Sequence, residues 1–384
     1  MRLLGLALAA VALLSACSEP RHSAAASATA TPNAAPASAV AAMSLSHCGQ
    51  GWSHATAGTV RVQIHNVDTS SGEAYLDTTD GAILAEADPV GPGSWGTLDA
   101  VLAPGTYHVV CTMDDADPVA GPAVTVTGGA VAGSPQVRPV TSGDLAPYAI
   151  ADSRLIAGRL VTLQQQSEAL AAALRSGDRS QAERSWRAAY ATWNSMGVAY
   201  GAFGTGADKV AGLPDGLPHG VNDTGWTGLH RIEYGLWHGQ SLSDLTPLGS
   251  RLTSDVQALR TTVQHTELDP GELVLRTHEI AEQSVQQTLS GVDDFGSDAT
   301  TAAVAEQLDA TEELLTGLRP LLAPRYPDLS RTEALLQQAH SQASAIPSWR
   351  HASRRQRETL DADLSGLCEL LAPVATILEP RIVP

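Results

Sequence analysis

The residues best placed to do chemistry are His230 and Glu233, within Gly225-Trp226-Thr227-Gly228-Leu229-His230-Arg231-Ile232-Glu233-Tyr234. They follow a loop carrying Gly212, Pro214, Gly216, Pro218 and Gly220, and Thr227 stands where an N-cap would start a helix. In that helix the two side chains are three residues apart and share a face. An imidazole and a carboxylate at this spacing suit a first-row transition metal, and bundles build helix-to-helix sites from such pairs. A helix N-terminus also disfavours the imidazolium, which keeps a first-turn His available as a ligand. The plainer alternative is a capping or surface His beside a solvated Glu, since two residues do not make a site.

The longer string Thr227 to Gly239, TGLHRIEYGLWHG, changes the balance between these. It resembles the GxHxxE signature of the imelysin-like domain of EfeO-type iron-uptake lipoproteins. The preceding GLPDGLPHGVNDTGW, Arg276-Thr277-His278-Glu279-Ile280-Ala281, and Ser290-Gly291-Val292-Asp293-Asp294-Phe295-Gly296-Ser297 match as well. The resemblance spans roughly residues 148–384, with a weaker one before it. It implies iron, ferrous or ferric, held by His230, Glu233 and a third ligand, Glu279, with an EfeU-like permease and an EfeB-like peroxidase as partners. Zinc and manganese suit the same ligand types, so spacing alone does not choose the metal.

The chain also departs from that family. Ala211 stands where the resemblance places an aspartate ligand, with Asp208 one turn earlier as the substitute. Ala191 and Asn194 stand where relatives carry acids, although Tyr190 is kept. The resemblance therefore leaves open a divergent metal binder or one that has lost its metal.

The elements that must position these residues follow from the whole chain. Its 384 residues suggest two domains. With 41 acidic against 23 basic residues the net charge is −18, which argues against nucleic acid and against adhesion to anionic lipid while attracting cations. Arg2 and the apolar run Leu3 to Leu14 read as a signal peptide, too short to span a membrane. Leu14-Ser15-Ala16-Cys17 resembles a bacterial lipobox, which implies lipidation of Cys17 and an extracytoplasmic, membrane-tethered or periplasmic protein. Residues 18–45, nearly all Ala, Ser, Thr and Pro, read as a disordered linker.

From residue 46 to 140, short alternating runs broken by Gly and Pro predict a β-sandwich of about seven strands. Val60, Val62 and Ile64 alternate with Arg61, Gln63 and His65, and Tyr107, Val109 and Cys111 share a face. This stretch resembles the cupredoxin-like N-terminal domain of EfeO proteins through Cys48 and the run Pro104 to Cys111. That likeness implies copper or iron at Cys48 and Cys111 with Asp77 and Glu86 as carboxylates. Outside the cytoplasm the same two cysteines could instead form a disulfide worth about 4 kcal/mol. A blue-copper centre is disfavoured: His65 and Met113 could serve, yet no His follows Cys111 at short spacing.

Beyond Pro147 the period turns helical. Leu155, Leu160, Leu163, Leu170 and Leu174 mark one helix, and Ser176-Gly177-Asp178 ends it. Further helices are expected over about 179–200, 243–266, 270–290, 299–318, 330–345 and 354–378. Short loops between them imply an all-α up-and-down bundle over 148–384. Trp186, Tyr190 and Trp193 read as a core stripe, and Cys368 as a small apolar residue.

Three function classes follow. The first is the tethered metal binder, whose hold should weaken in acid as protons compete for its ligands. The second is an imelysin-type metallopeptidase, opposed by the absence of HExxH: the segment is His230-Arg231-Ile232-Glu233 and the next His is His238. The third is a metal-free binding or scaffold lipoprotein.

Overall fold

A computed structural model describes residues 37–198, 203–265 and 268–382. The signal peptide, the lipidation residue Cys17 and most of the linker lie outside the described residues.

An N-terminal β domain precedes a helical domain. In the β domain, strands β1 (Ala37–Met43), β3 (Gly58–Asn66) and β6 (Trp95–Leu102) form one sheet in the order β1-β3-β6. A second sheet runs β2 (His54–Thr56), β9 (Val124–Thr127), β7 (Gly105–Met113), β4 (Gly72–Thr78) and β5 (Ile83–Val90), with β8 (Val119–Ala120) on β7. The alternation read from the sequence holds: Val60, Val62 and Ile64 are buried from one sheet, and Ala74, Leu76, Val109 and Cys111 from the other. Period-two patterning thus buries one face of each sheet in a shared core.

The structure corrects the sequence reading at residues 37–43. That segment, expected inside the linker, is β1, paired in parallel with β3 from Ala37 opposite Val60 to Met43 opposite Asn66. Ala41 and Met43 are fully buried. Alanine-rich composition hid a strand whose backbone is satisfied by a neighbour distant in sequence.

The helical domain comprises α1 (Ser142–Ser176), α2 (Arg179–Ser195), α3 (Gly204–Ala211), α4 (Gly228–Trp237), α5 (Leu242–His265), α6 (Pro270–Gln283), α7 (Thr300–Leu322), α8 (Leu329–Ala345) and α9 (Arg354–Ile377). A π-helical turn, Ser284–Thr288, continues α6. Helix α1 begins before the expected boundary because Thr141 and Asp144 form a reciprocal capping box, and Pro147 is accommodated within the helix. It ends where Gly177 takes a left-handed conformation and its N–H reaches Ala173 and Leu174. Short α3 had no periodicity long enough to predict it. Among the described residues, no helix is long and apolar enough to cross a membrane.

Two cores, rather than one bundle interior, organise these helices. Ile156 to Leu174 of α1 pack with α2 to α5, whereas α6 to α9 pack with one another and with Leu145 and Ala149 of α1. The two groups meet where α1 and α2 touch α6 and α7. Arg276 of α6 locks this seam: fully buried, it bonds Asp152 of α1 at 2.6 Å and the carbonyl of Met196 at 2.8 Å. Helix α4 packs on α2, α3 and α5 within the first group.

The β domain is tied to the helices through the C-terminus. Arg381, nearly inaccessible, donates to Glu86 of β5 at 2.8 Å, while its backbone N–H reaches the Val140 carbonyl at 2.8 Å.

Candidate metal centre

Helix α4 brings His230 and Glu233 together as the i, i+3 spacing requires. Thr227 occupies the N-cap position, but its hydroxyl makes no capping bond. Gly228, at φ +89°, is required there: a Cβ would lie 2.5 Å from the Val210 carbonyl oxygen. The end of α3 therefore presses on the start of α4 and sets its direction.

Both side chains are buried, His230 at 4% exposure and Glu233 at 0%. His230 Nδ1 lies 3.3 Å from Glu233 Oε2. The other oxygen, Oε1, accepts from Phe295 N at 3.0 Å, Ser297 N at 3.1 Å and Ser297 Oγ at 2.6 Å. These donors replace the water that a buried carboxylate loses. They come from the loop after the π turn, more than sixty residues downstream.

That loop is itself held. Gly296 adopts φ +129°, and a Cβ there would stand 2.5 Å from Trp237 Cβ, so glycine is needed for the close approach to α4. Asp294 accepts from the N–H groups of Gly296 and Asp298 and pairs with Arg350. Burial opposes ionisation of Asp294, yet these hydrogen bonds and Arg350 together hold its carboxyl below the usual range.

Around His230 stand Tyr190, edge-on at 5.4 Å between ring centres, and Phe295 at 5.6 Å. Tyr190 donates to Asp293 Oδ2 at 3.4 Å, and Thr288 donates to the same oxygen at 3.1 Å. Burial first, and then the negative charges of Asp293 and Glu233, raise the Tyr190 phenol well above its ordinary value. Asn194 bridges to Gln307 of α7 at 3.0 Å. An open cavity of about 820 Å³, lined by Trp193, Asp208, Lys209, Trp226 and Arg251, adjoins this region. Trp226, which lines the cavity, packs on Phe295 at 5.0 Å, and Phe295 in turn packs on His230.

The other residues singled out from the sequence do not join this pair. Glu279 sits half-buried on α6; burial raises its carboxyl, and its charged neighbours Glu272, His278, Arg276 and Glu282 belong to its own helix. Asp208 is exposed at the cavity rim. Among the described residues, no three His, Cys, Asp or Glu side chains are grouped to hold a metal. Helical phase explains Glu279: Thr277, Ile280 and Ala281 take the buried face of α6 and turn it aside.

In the β domain Cys48 and Cys111 form a disulfide, with sulfurs 2.08 Å apart. The expected copper or iron site on their thiolates is corrected accordingly. Glu86 is engaged by Arg381. Asp77, 5% exposed, leaves Oδ1 without a hydrogen-bond partner and faces a cavity of about 530 Å³ shared with His108 and Arg138.

Sequence reasoning missed the roles of Ser297, Phe295 and Asp293, and read Tyr190 as core and as a residue kept where relatives carry acids beside it. The sole signal for the loop was its place in the matching string 290–297. Nothing in local periodicity ties it to α4.

The pair can act chemically as a two-point chelate. Donors about 2.1 Å from one ion and at ordinary coordination angles stand roughly 3.0 to 3.4 Å apart, and the observed 3.3 Å falls in that span. Nitrogen and oxygen donors of this kind suit iron or zinc.

Comparison with known proteins agrees with the helical domain. The imelysin family profile, which carries a peptidase name, matches residues 157–373. The iron uptake system component EfeM of Bacillus subtilis (strain 168) is 22% identical over 161 residues, 40% of this chain and 42% of that protein. The chain thus spans less than half the length of that curated relative.

Proposed function

The chain belongs to the imelysin family, and from that premise we propose that it is an extracytoplasmic, iron-binding component of an iron uptake system. Iron is its cargo: the helical domain captures the ion and passes it to a permease of the EfeU type, with an EfeB-like peroxidase acting in the same system. Cys17, once lipidated, would tether the protein to the membrane, and the cupredoxin-like β domain serves as spacer or docking module.

The observation that carries this reading is the buried His230–Glu233 pair with its 3.3 Å separation. His230 supplies an imidazole nitrogen and Glu233 its Oε2, while Oε1 stays anchored to the 295–297 loop. The likeness to a protein named as an iron uptake component supports the choice of iron. Isothermal titration of the soluble chain with Fe2+ and Zn2+ tests it. Saturable binding lost in His230→Ala is expected; no binding, or binding indifferent to that substitution, removes the proposal.

A second reading, a metal-free adaptor, draws on Ala191, Asn194 and Ala211, where the resemblance implies acids. Elemental content of protein purified without chelator distinguishes the two. Peptidase chemistry has less support, because His230-Arg231-Ile232-Glu233 lacks the second His that a helical zinc-peptidase motif places at i+4.

A further inference from the structure

We propose that the cavity lined by Asp77, His108, Arg138 and Arg325, where the β domain meets the helical domain, binds a small zwitterion of the amino-acid or dipeptide class by its ammonium and carboxylate ends. The site shares no residue with His230 and Glu233 and does not rest on the iron-binding reading.

Strands β4 and β7 pair so that Asp77 stands directly opposite His108, and both line a cavity of about 530 Å³. Asp77 is buried, and its Oδ1 has no hydrogen-bond partner. Arg381 donates instead to Glu86, at 2.8 Å. An unpaired buried carboxylate oxygen is costly, so a bound donor there is rewarded. His108 Nδ1 lies 3.1 Å from the Gly121 carbonyl, which can only accept. The Nδ1 nitrogen therefore carries the hydrogen, and in the neutral ring Nε2 is an acceptor. Two acceptors on paired strands suit a group with several N–H donors, such as a primary ammonium.

The remaining charges in the cavity have the opposite sign. Arg138 belongs to the segment joining the domains, which bridges to β5 through Val137 and Ile83, and Arg325 follows α7. Arg325 donates to the carbonyls of Arg138, Leu321 and Pro139, which orient its guanidinium without neutralising it. N–H groups are left over for a carboxylate. Arg138 meets Asp80 at 3.8 Å, but both side chains are exposed and the pair is weak. In a chain of net charge −18, two arginines on one cavity invert the local field. A bare metal ion would face both guanidinia uncompensated, and among the described residues no third ligand joins Asp77 and His108. A zwitterion brings its own carboxylate to the arginines while its ammonium meets Asp77 and His108.

Isothermal titration of the full chain in EDTA, with L-alanine and with L-alanyl-L-alanine as separate probes, tests this and distinguishes free amino acid from peptide. Saturable binding of at least one probe is expected. N-acetylation, which removes the ammonium, and C-terminal amidation, which removes the carboxylate, should each weaken it about ten- to a hundred-fold. Asp77→Asn should weaken the unmodified probe by a similar factor and erase the discrimination against its acetylated form. Arg138→Gln should do the same for the amidated form, with a smaller loss because Arg138 is exposed, and His230→Ala should change nothing. Binding of neither probe, equal binding of the acetylated or amidated form, or binding indifferent to both Asp77→Asn and Arg138→Gln overturns the proposal and leaves the iron reading untouched. The modified probes need no variant, so a misfolded substitution would not obscure the outcome.

Discussion

Glu233 divides its carboxylate between two partners: Oε1 is committed to the loop at Phe295 and Ser297, and Oε2 faces His230. Ser297→Ala removes one of three donors and should destabilise the fold by about 1 to 3 kcal/mol. It should also weaken metal binding without abolishing it; urea unfolding and calorimetric titration of the same variant check both. A second residue-scale prediction concerns Asp77, whose carboxyl burial pushes up to about 7, with Arg381 opposing only in part. A carboxyl raised in the native state keeps its proton after the unfolded chain has lost it. Stability should therefore fall as pH rises from about 4 to about 7 and level off above that window. Asp77→Asn should flatten this profile and raise the melting temperature at about pH 8. An unchanged slope would assign the pH dependence to other groups.

At the scale of elements, α4 is short and depends on what grips its two ends: α3 beneath Gly228 and the 290–298 loop against Trp237. Gly296→Ala forces a left-handed residue and a clash with Trp237 at once, and should destabilise by about 2 kcal/mol or more. Because the same loop carries the donors to Glu233, metal affinity should fall with it; a variant that melts lower yet binds normally would separate loop from site. The seam has its own lock in Arg276 and Asp152. Asp152→Ala leaves a buried guanidinium without its counter-charge and should cost about 3 to 5 kcal/mol, read as a shifted denaturation midpoint.

For the whole molecule, the disulfide and the Arg381 contact divide the work of holding the β domain. Cys48 and Cys111 close a 63-residue separation, and their reduction should remove about 4 kcal/mol from that domain. Two calorimetric transitions are expected, with only the β-domain one lowered by reductant. A single transition falling as a unit would mean that the contact through Arg381 and Glu86 couples the domains thermodynamically.

Much of this architecture was legible beforehand, because periodicity and capping are local. Val60, Val62 and Ile64 announced a half-buried strand, Leu155 to Leu174 a helix, Ser176-Gly177-Asp178 its end, and His230 with Glu233 a shared face. Composition misled at Ala37–Met43, where strand formation depends on β3 rather than on the segment itself. Spacing could not exclude Glu279, since the phase of α6 is set by what it packs against. Nor could it choose between thiolates and a disulfide for Cys48 and Cys111, which only their proximity in the folded sheets decides. The sequence by itself determined the long helices, the alternating strand at Val60, Val62 and Ile64, and the one pair whose geometry a single helix dictates. Tertiary structure alone decided which groups surround that pair, Ser297, Phe295, Tyr190 and Asp293, because contacts between elements depend on how those elements pack rather than on any period within one chain segment.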